Sequence, residues 1–241
     1  MVAVLLNACG GGGGSSSSNN SEDIAPVSSN GLVAYYNFEN NIKDTISNMK
    51  MSISNSIYYT DGKFNQGIGS TDASSVDQIQ ILNPFSNESF TLSFWNNFLV
   101  EHNKIYGDTG IHVWHSTNRN QRSFMFTPSS GNHSLYHQHE YPELAVNDNK
   151  NNAGNGDSFY YGGSQLMDQK WQHVALTYDH GMINIYVNGN KIIQNKRTII
   201  SPIGRNLGIS LRGEDKIDDL KIYNRTLNEV EIQELYNLIE K

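Results

Sequence analysis

The chain has 241 residues, of which 37% are hydrophobic and 17% charged, with 21 Gly, 5 Pro and a formal net charge of -7. That length suits one all-β domain, and the acidic balance without clustered Lys and Arg excludes nucleic acid as a partner. No apolar run approaches the roughly 18 residues of a spanning helix, and the single cysteine, Cys9, excludes an internal disulfide.

At the N-terminus, the apolar stretch Val2 to Leu6 leads into Asn7, Ala8 and Cys9. This resembles the lipobox at which bacterial lipoprotein precursors are cut and the new terminal cysteine is acylated. The apolar run is shorter than a usual signal h-region and has no basic residue before it, so residues 1–9 are expected to be the end of a longer signal peptide. Residues 10–30 then read as a flexible tether, with Gly10 to Gly14, Ser15 to Ser18 and Asn19 to Glu22. Together these predict an extracytoplasmic protein, at the cell surface or in the periplasm, held to the membrane only through a lipid on Cys9.

From Gly31 to the C-terminus the pattern becomes period-two, which predicts one antiparallel two-sheet sandwich over residues 31–241. Strands are expected at Leu32 to Phe38, Met51 to Ser54, Ile57 to Thr60, Gln78 to Leu82, Phe90 to Phe98, Ile111 to His115, Ser123 to Phe126, Leu135 to Glu140 and Phe159 to Tyr161. The most legible piece runs from Trp171 to Ile193. Val174, Leu176 and Tyr178 alternate with Ala175 and Thr177, Asp179 to Gly181 turn the chain, and Ile183, Ile185 and Val187 return. Asn188–Gly189 is then a type I′ turn candidate into Lys191 to Ile193, because both central positions need positive φ. Ser201 to Leu211 and Ile217 to Tyr223 supply the last strands. One short helix from Leu227 to about Ile239 closes the chain, with Thr226 and Glu229 as a capping box and Leu227, Val230, Ile232, Leu235 and Leu238 as its apolar face.

Trp171 to Asp179 with Ile185 to Gly189, the closing Ile217 to Leu227 with Glu231, Ile232 and Leu235, the opening Gly31 to Phe38, and Phe90 to Trp95 resemble the laminin-G-like jelly rolls of the concanavalin A-like lectin and glucanase superfamily. The resemblance spans about residues 31 to 238 and departs from the common pattern between about His102 and Gly163. It implies a jelly roll, and a structural Ca²⁺ held by Asp218 with Asp44 and Glu39 from the loop after the first strand. Simple alternation sets Asp218 on the apolar face of Leu220 and Ile222, where a carboxylate needs a cation or several donors. The alternative is that Asp218 accepts backbone N–H bonds, or pairs with Arg225 or Lys43.

Trp114, Tyr136, Tyr141, Phe159, Tyr160 and Tyr161 are the ligand-binding candidates, since an aromatic platform suits the C–H faces of sugar rings and the Asn147 to Asp157 loop offers hydrogen bonds. His133, His137 and His139 with Glu140 and Glu143, joined by His112 or His115, form a weaker transition-metal candidate. His173 reads as structural. No paired-carboxylate strand pattern of the superfamily's glycosidases, no Gly-x-Ser-x-Gly elbow and no phosphate loop is present, so no enzymatic role is expected. The expected function is a surface-tethered, non-catalytic domain recognising carbohydrate. The competing expectations are a protein-binding adhesion or assembly module, and a divergent polysaccharide hydrolase or lyase.

Overall fold

The computed structural model describes residues 29–47, 49–71, 79–82, 89–97, 112–116, 122–127, 143–147, 157–161, 170–194, 206–211 and 215–238. Fifteen strands occur among them: β1 (Leu32–Tyr36), β2 (Met51–Ile53), β3 (Ile57–Asp61), β4 (Gln66–Ser70), β5 (Ile79–Leu82), β6 (Ser89–Asn97), β7 (His112–Ser116), β8 (Arg122–Thr127), β9 (Glu143–Asn147), β10 (Asp157–Tyr161), β11 (Gln172–Asp179), β12 (Met182–Val187), β13 (Asn190–Gln194), β14 (Asn206–Ser210) and β15 (Lys216–Tyr223). One helix, α1 (Glu229–Asn237), is present among the described residues and follows the strands.

The expected β-sandwich is present. The first sheet has the order β13-β12-β11-β6-β15-β4-β3, with β1 also pairing β15, and the second has the order β10-β9-β8-β7-β14-β5-β2. All pairings are antiparallel. The meander β11–β12–β13 forms as its turns dictate: His180–Gly181 have φ 45° and 96°, Asn188–Gly189 have φ 49° and 77°, and two-residue loops with both φ positive match the right-handed twist of the strands they join.

Between the sheets, Phe90, Leu92 and Phe94 of β6, Val174 and Leu176 of β11, and Leu220 and Ile222 of β15 share one apolar core with Ile79, Ile81, Leu207 and Ile209 of the second sheet. Each such side chain stabilises the fold by about 1.5–3 kcal/mol through burial. A second apolar cluster lies on the opposite face of the first sheet, where Leu227, Ile232 and Leu235 meet Ala175, Tyr186 and Tyr223.

Three expectations need correction. The helix is capped by Asn228, whose Oδ1 accepts from Val230 N and Glu231 N, while the Glu231 carboxylate accepts from Asn228 N; the capping box is therefore Asn228 with Glu231. Thr226 is taken by a tertiary bond instead, donating its hydroxyl to the Tyr178 carbonyl at 2.8 Å. Val230 is 67% exposed and does not belong to the apolar face.

The second correction concerns strands. β4 and β9 are additional to the expected strands: Gly67 and Gly69 break the apolar run of one, and the other lies between the strands expected at Leu135 to Glu140 and Phe159 to Tyr161. The strand expected at Leu135 to Glu140 lies outside the described residues.

The third concerns Asp218. Ile217 stands opposite Asn96, Asp218 opposite Trp95, and then Lys221 opposite Ser93, so β15 carries one extra residue against β6. Asp219, at φ 53°, occupies this bulge. The bulge resets the alternation, so Ile217, Leu220 and Ile222 all reach the inter-sheet core while Asp218 sits on the outer face with Trp95 and Lys221. It does not share a face with Leu220 and Ile222.

Candidate functional site

Under α1, the outer face of the first sheet is a buried polar layer. The register sets His173, Trp95 and Asp218 side by side on β11, β6 and β15. His173 Nε2 lies 2.8 Å from Ser93 Oγ, and its ring packs edge-on to Trp95 with centroids 5.4 Å apart. Trp95 also meets Tyr236 of α1 at 6.0 Å and carries the Lys63 ammonium 4.3 Å above its ring, a cation–π contact. Burial, and to a lesser degree the Lys221 charge, lowers the His173 pKa to about 3, so the ring is neutral. His173 is 1% exposed and is a scaffold residue, as its place in the hairpin suggests.

Asp218 is 1% exposed. Its Oδ2 accepts from Phe64 N at 2.9 Å and its Oδ1 from Asp219 N at 2.7 Å. Burial pushes its pKa up to about 7 against the pull of the Phe64, Asp219 and Lys63 N–H groups. A Cβ added at Gly62 would stand 2.6 Å from Asp218 Oδ2 and 2.5 Å from the Gln66 carbonyl carbon, so the β3–β4 turn needs glycine there to close on the carboxylate. Beside it Asp219 pairs with Lys221, whose ammonium lies 4.6 Å above the Tyr35 ring.

The other two proposed calcium ligands also serve the chain. Asp44 Oδ1 accepts from Tyr35 N (2.8 Å) and Ile46 N (2.9 Å), and Oδ2 from Ser47 N (2.8 Å) and the Ser47 hydroxyl. Four donors match the roughly four lone-pair positions of a carboxylate. They hold the Asp44 pKa below the usual range although burial opposes them. Glu39 Oε1 accepts from Gln66 N at 3.3 Å. Arg225 is engaged by the Glu231 carboxylate at 2.5 and 3.0 Å and by Asn30 O at 2.8 Å, not by Asp218. Among the described residues no three His, Cys, Asp or Glu side chains gather as a metal group. Asp44 and Asp218 thus anchor backbone N–H groups, while Glu39 accepts a single one.

The aromatic ligand candidates are sorted by the register of the second sheet. One row across it joins Ile79, Ile209, Val113, Phe126, Leu144 and Tyr160; Ile79 and Ile209 are fully buried, so this is the core-side row. The neighbouring row joins Ser52, Gln80, Gly208, Trp114, Met125, Ala145 and Phe159. This row alternates with the core-side row and so belongs to the outer face; along it Ser52 is exposed, Gln80 half-buried and Gly208 buried. Trp114 and Phe159 thus hold outer-face positions, Tyr161 joins them two residues on, and Tyr160 holds a core-side position. Tyr136, Tyr141, His133, His137, His139 and Glu140 lie outside the described residues. His112 and His115 fall on opposite faces of β7, and Glu143 pairs with Thr127 and Tyr161. What sequence reasoning missed is the continuity of the row through Met125 and Ala145, because β9 was not recognised.

Two stacked antiparallel sheets with this strand order define a jelly-roll domain. Residues 69–233 match the concanavalin A-like lectin/glucanases superfamily (Laminin_G_3), and the chain belongs to that family. No curated protein matches it. Among solved structures, domain 4 of AbnA, a GH43 extracellular arabinanase from Geobacillus stearothermophilus, determined in complex with arabinotriose, is similar at TM-score 0.61 and 18% identity, covering 86% of this chain and 98% of that one. The binding domain of Paraclostridial Mosquitocidal Protein 1 is similar at TM-score 0.60 and 18% identity, covering 86% of this chain and 52% of that one. The binding domain of botulinum neurotoxin DC, determined in complex with rat synaptotagmin II, follows at TM-score 0.57 and 16% identity, covering 86% and 51%. The chain thus spans about half the length of the two toxin domains.

Proposed function

We propose that this chain is a non-catalytic binding domain for carbohydrate and that its binding face is the outer face of the second sheet. The observation that carries the reading is the register row that gives Trp114 and Phe159 positions on one outer face, with Met125 and Ala145 between them. Aromatic side chains offer flat apolar area to the C–H faces of sugars, and polar groups beside them answer hydroxyls. The presence of arabinotriose in one similar domain supports the class of ligand. Calcium has no part in this reading, because Asp44 and Asp218 already accept from the chain's own donors.

Affinity electrophoresis and calorimetry against plant and bacterial polysaccharides test the proposal. Trp114→Ala and Phe159→Ala are each expected to weaken binding about tenfold or more, the equivalent of about 1.4 kcal/mol, with the melting temperature little changed. Binding that survives both substitutions undiminished would move the site elsewhere. The competing reading, a protein partner, draws support from the neurotoxin binding domain solved with synaptotagmin II and from exposed Tyr58 and Tyr59 on the edge strand β3. We further propose that Cys9 carries a lipid that tethers the domain outside the cytoplasm, which predicts that Cys9→Ser releases it from the membrane fraction of its bacterial host.

A further inference from the structure

Resting on the carbohydrate reading, we infer that the ligand is an uncharged glycan chain lying across the strands of the second sheet, and that Glu143 and Asp157 exclude anionic glycans from this face.

The topology arranges the outer positions of β7 to β10 in three parallel rows. The middle row runs Trp114, Met125, Ala145, Phe159. It crosses three inter-strand steps, about 14 Å at the usual strand spacing, which accommodates several consecutive sugar rings. Among the described residues β10 is the edge strand of the sheet, and no strand continues the row beyond Phe159. A stripe of apolar positions perpendicular to the strands, ending at an edge, matches a chain laid crosswise better than a single residue held in a closed pocket.

The rows on either side are polar. Glu143 pairs with Tyr161 on one side of Ala145 and Phe159, and Asn147 pairs with Asp157 on the other. Two residues along a strand is about 7 Å, so each flank of the stripe at β9 and β10 carries one carboxylate position. β7, β9 and β10 contain no Lys or Arg, and the lone basic residue of β8, Arg122, stands at its start beyond the register shift at Ser116. Carboxylates on both flanks accept hydrogen bonds from sugar hydroxyls and repel sugar carboxylates or sulfates, and Arg122, opposite Ser116 and two strands from Asp157, is the one Lys or Arg among these four strands. The formal net charge of -7 acts in the same direction at long range.

The test uses the full chain and matched polymers: polygalacturonate against its methyl-esterified, uncharged form, together with arabinan and xylan as neutral probes and alginate as an anionic one. The inference predicts that the tightest binding is to an uncharged polymer and that anionic polymers bind at least tenfold more weakly at low salt. It also predicts that the double variant Glu143→Lys/Asp157→Lys, checked for an unchanged circular dichroism spectrum, shifts the anionic-to-neutral ratio at least tenfold toward the anionic probes. Preferential binding of polygalacturonate or alginate would overturn this inference while leaving the carbohydrate reading in place. So would a charge swap that leaves the ratio where it was. Failure of every polymer to bind would remove the carbohydrate reading and this inference together.

Discussion

Substituting His173 by glutamine isolates one of two opposed titrations built into the buried layer beneath α1. His173 is lowered to about 3 by burial and the Lys221 charge, so the unfolded chain takes up a proton on this ring below pH 6.5 that the folded chain refuses. The stability contributed by the neutral ring is full above the unfolded value and is lost as pH falls toward 3. Between pH 6.5 and 4 this amounts to about 3 kcal/mol, from roughly 1.4 kcal/mol per pH unit. Asp218, two strands away on the same row, is raised to about 7, chiefly by burial. Its contribution has the opposite sign: it is full below the unfolded carboxylate value and is lost as pH rises through 7, again about 3 kcal/mol across the same window. The two slopes cancel in the native chain. Urea unfolding of the native protein, His173→Gln and Asp218→Asn at half-unit steps from pH 4 to 6.5 separates them. Relative to the native protein, His173→Gln should gain about 3 kcal/mol on acidification and Asp218→Asn about 3 kcal/mol on raising the pH. Each variant has its own baseline cost from a lost acceptor or donor, so the slope of the difference is the readout. Parallel curves for the three proteins would refute the assignment of these groups as opposed buried titrants.

Glu231 serves the helix twice, accepting the N-cap N–H of Asn228 and gripping Arg225 with both oxygens, so Glu231→Ala should lower stability by about 1–3 kcal/mol, against about 1 kcal/mol for Asn228→Ala; thermal unfolding by circular dichroism compares them. Gly189, at φ 77° and with an added Cβ only 2.3 Å from Gln233 Oε1, should cost about 1–2 kcal/mol as alanine, and Gln233→Ala should recover the steric share alone. Chelation with EDTA should leave the melting temperature within about 1 °C, since Asp44 and Asp218 are held by chain donors; by the stability scale of a domain this size, a calcium-reversible fall of about 4 °C or more would mean that a bound cation contributes on the order of 1–2 kcal/mol.

The hairpin from Trp171 to Ile193 was legible because its determinants are local. Asn188–Gly189 and His180–Gly181 name their turns, and alternation in β11 and β12 names the buried face. β4 was not legible, because Gly67 and Gly69 are small so that β15 can approach: a Cβ at Gly67 would lie 2.7 Å from the Ile217 carbonyl. The expected capping box, Thr226 with Glu229, gives way to Asn228 with Glu231, because the Thr226 hydroxyl is bonded to the Tyr178 carbonyl, 48 residues away, a contact no local pattern shows. The Asp218 face was misassigned because period two was carried through Asp219. The corrective signal was present: Ile217, Leu220 and Ile222 are spaced three and then two apart, which an uninterrupted strand cannot bury on one face and a one-residue bulge can.

The same distinction governs the candidate binding face. Alternation within β10 says only that Phe159 and Tyr161 oppose Tyr160; it does not say which of them lies outward. That choice comes from a chain of pairings, Tyr160 to Leu144, Phe126, Val113 and finally Ile209, whose burial fixes the sign for the whole row. A one-residue slip anywhere along it would exchange the faces. Residues brought into one outer row therefore come from 114, 125, 145 and 159, and from strands whose local patterns differ, so no short motif can announce them. The bulge on β15 and the row on the second sheet make the same point: on a sandwich, sequence names the buried face of a strand well, but the functional face is assembled by register, and register is a property of pairs of strands.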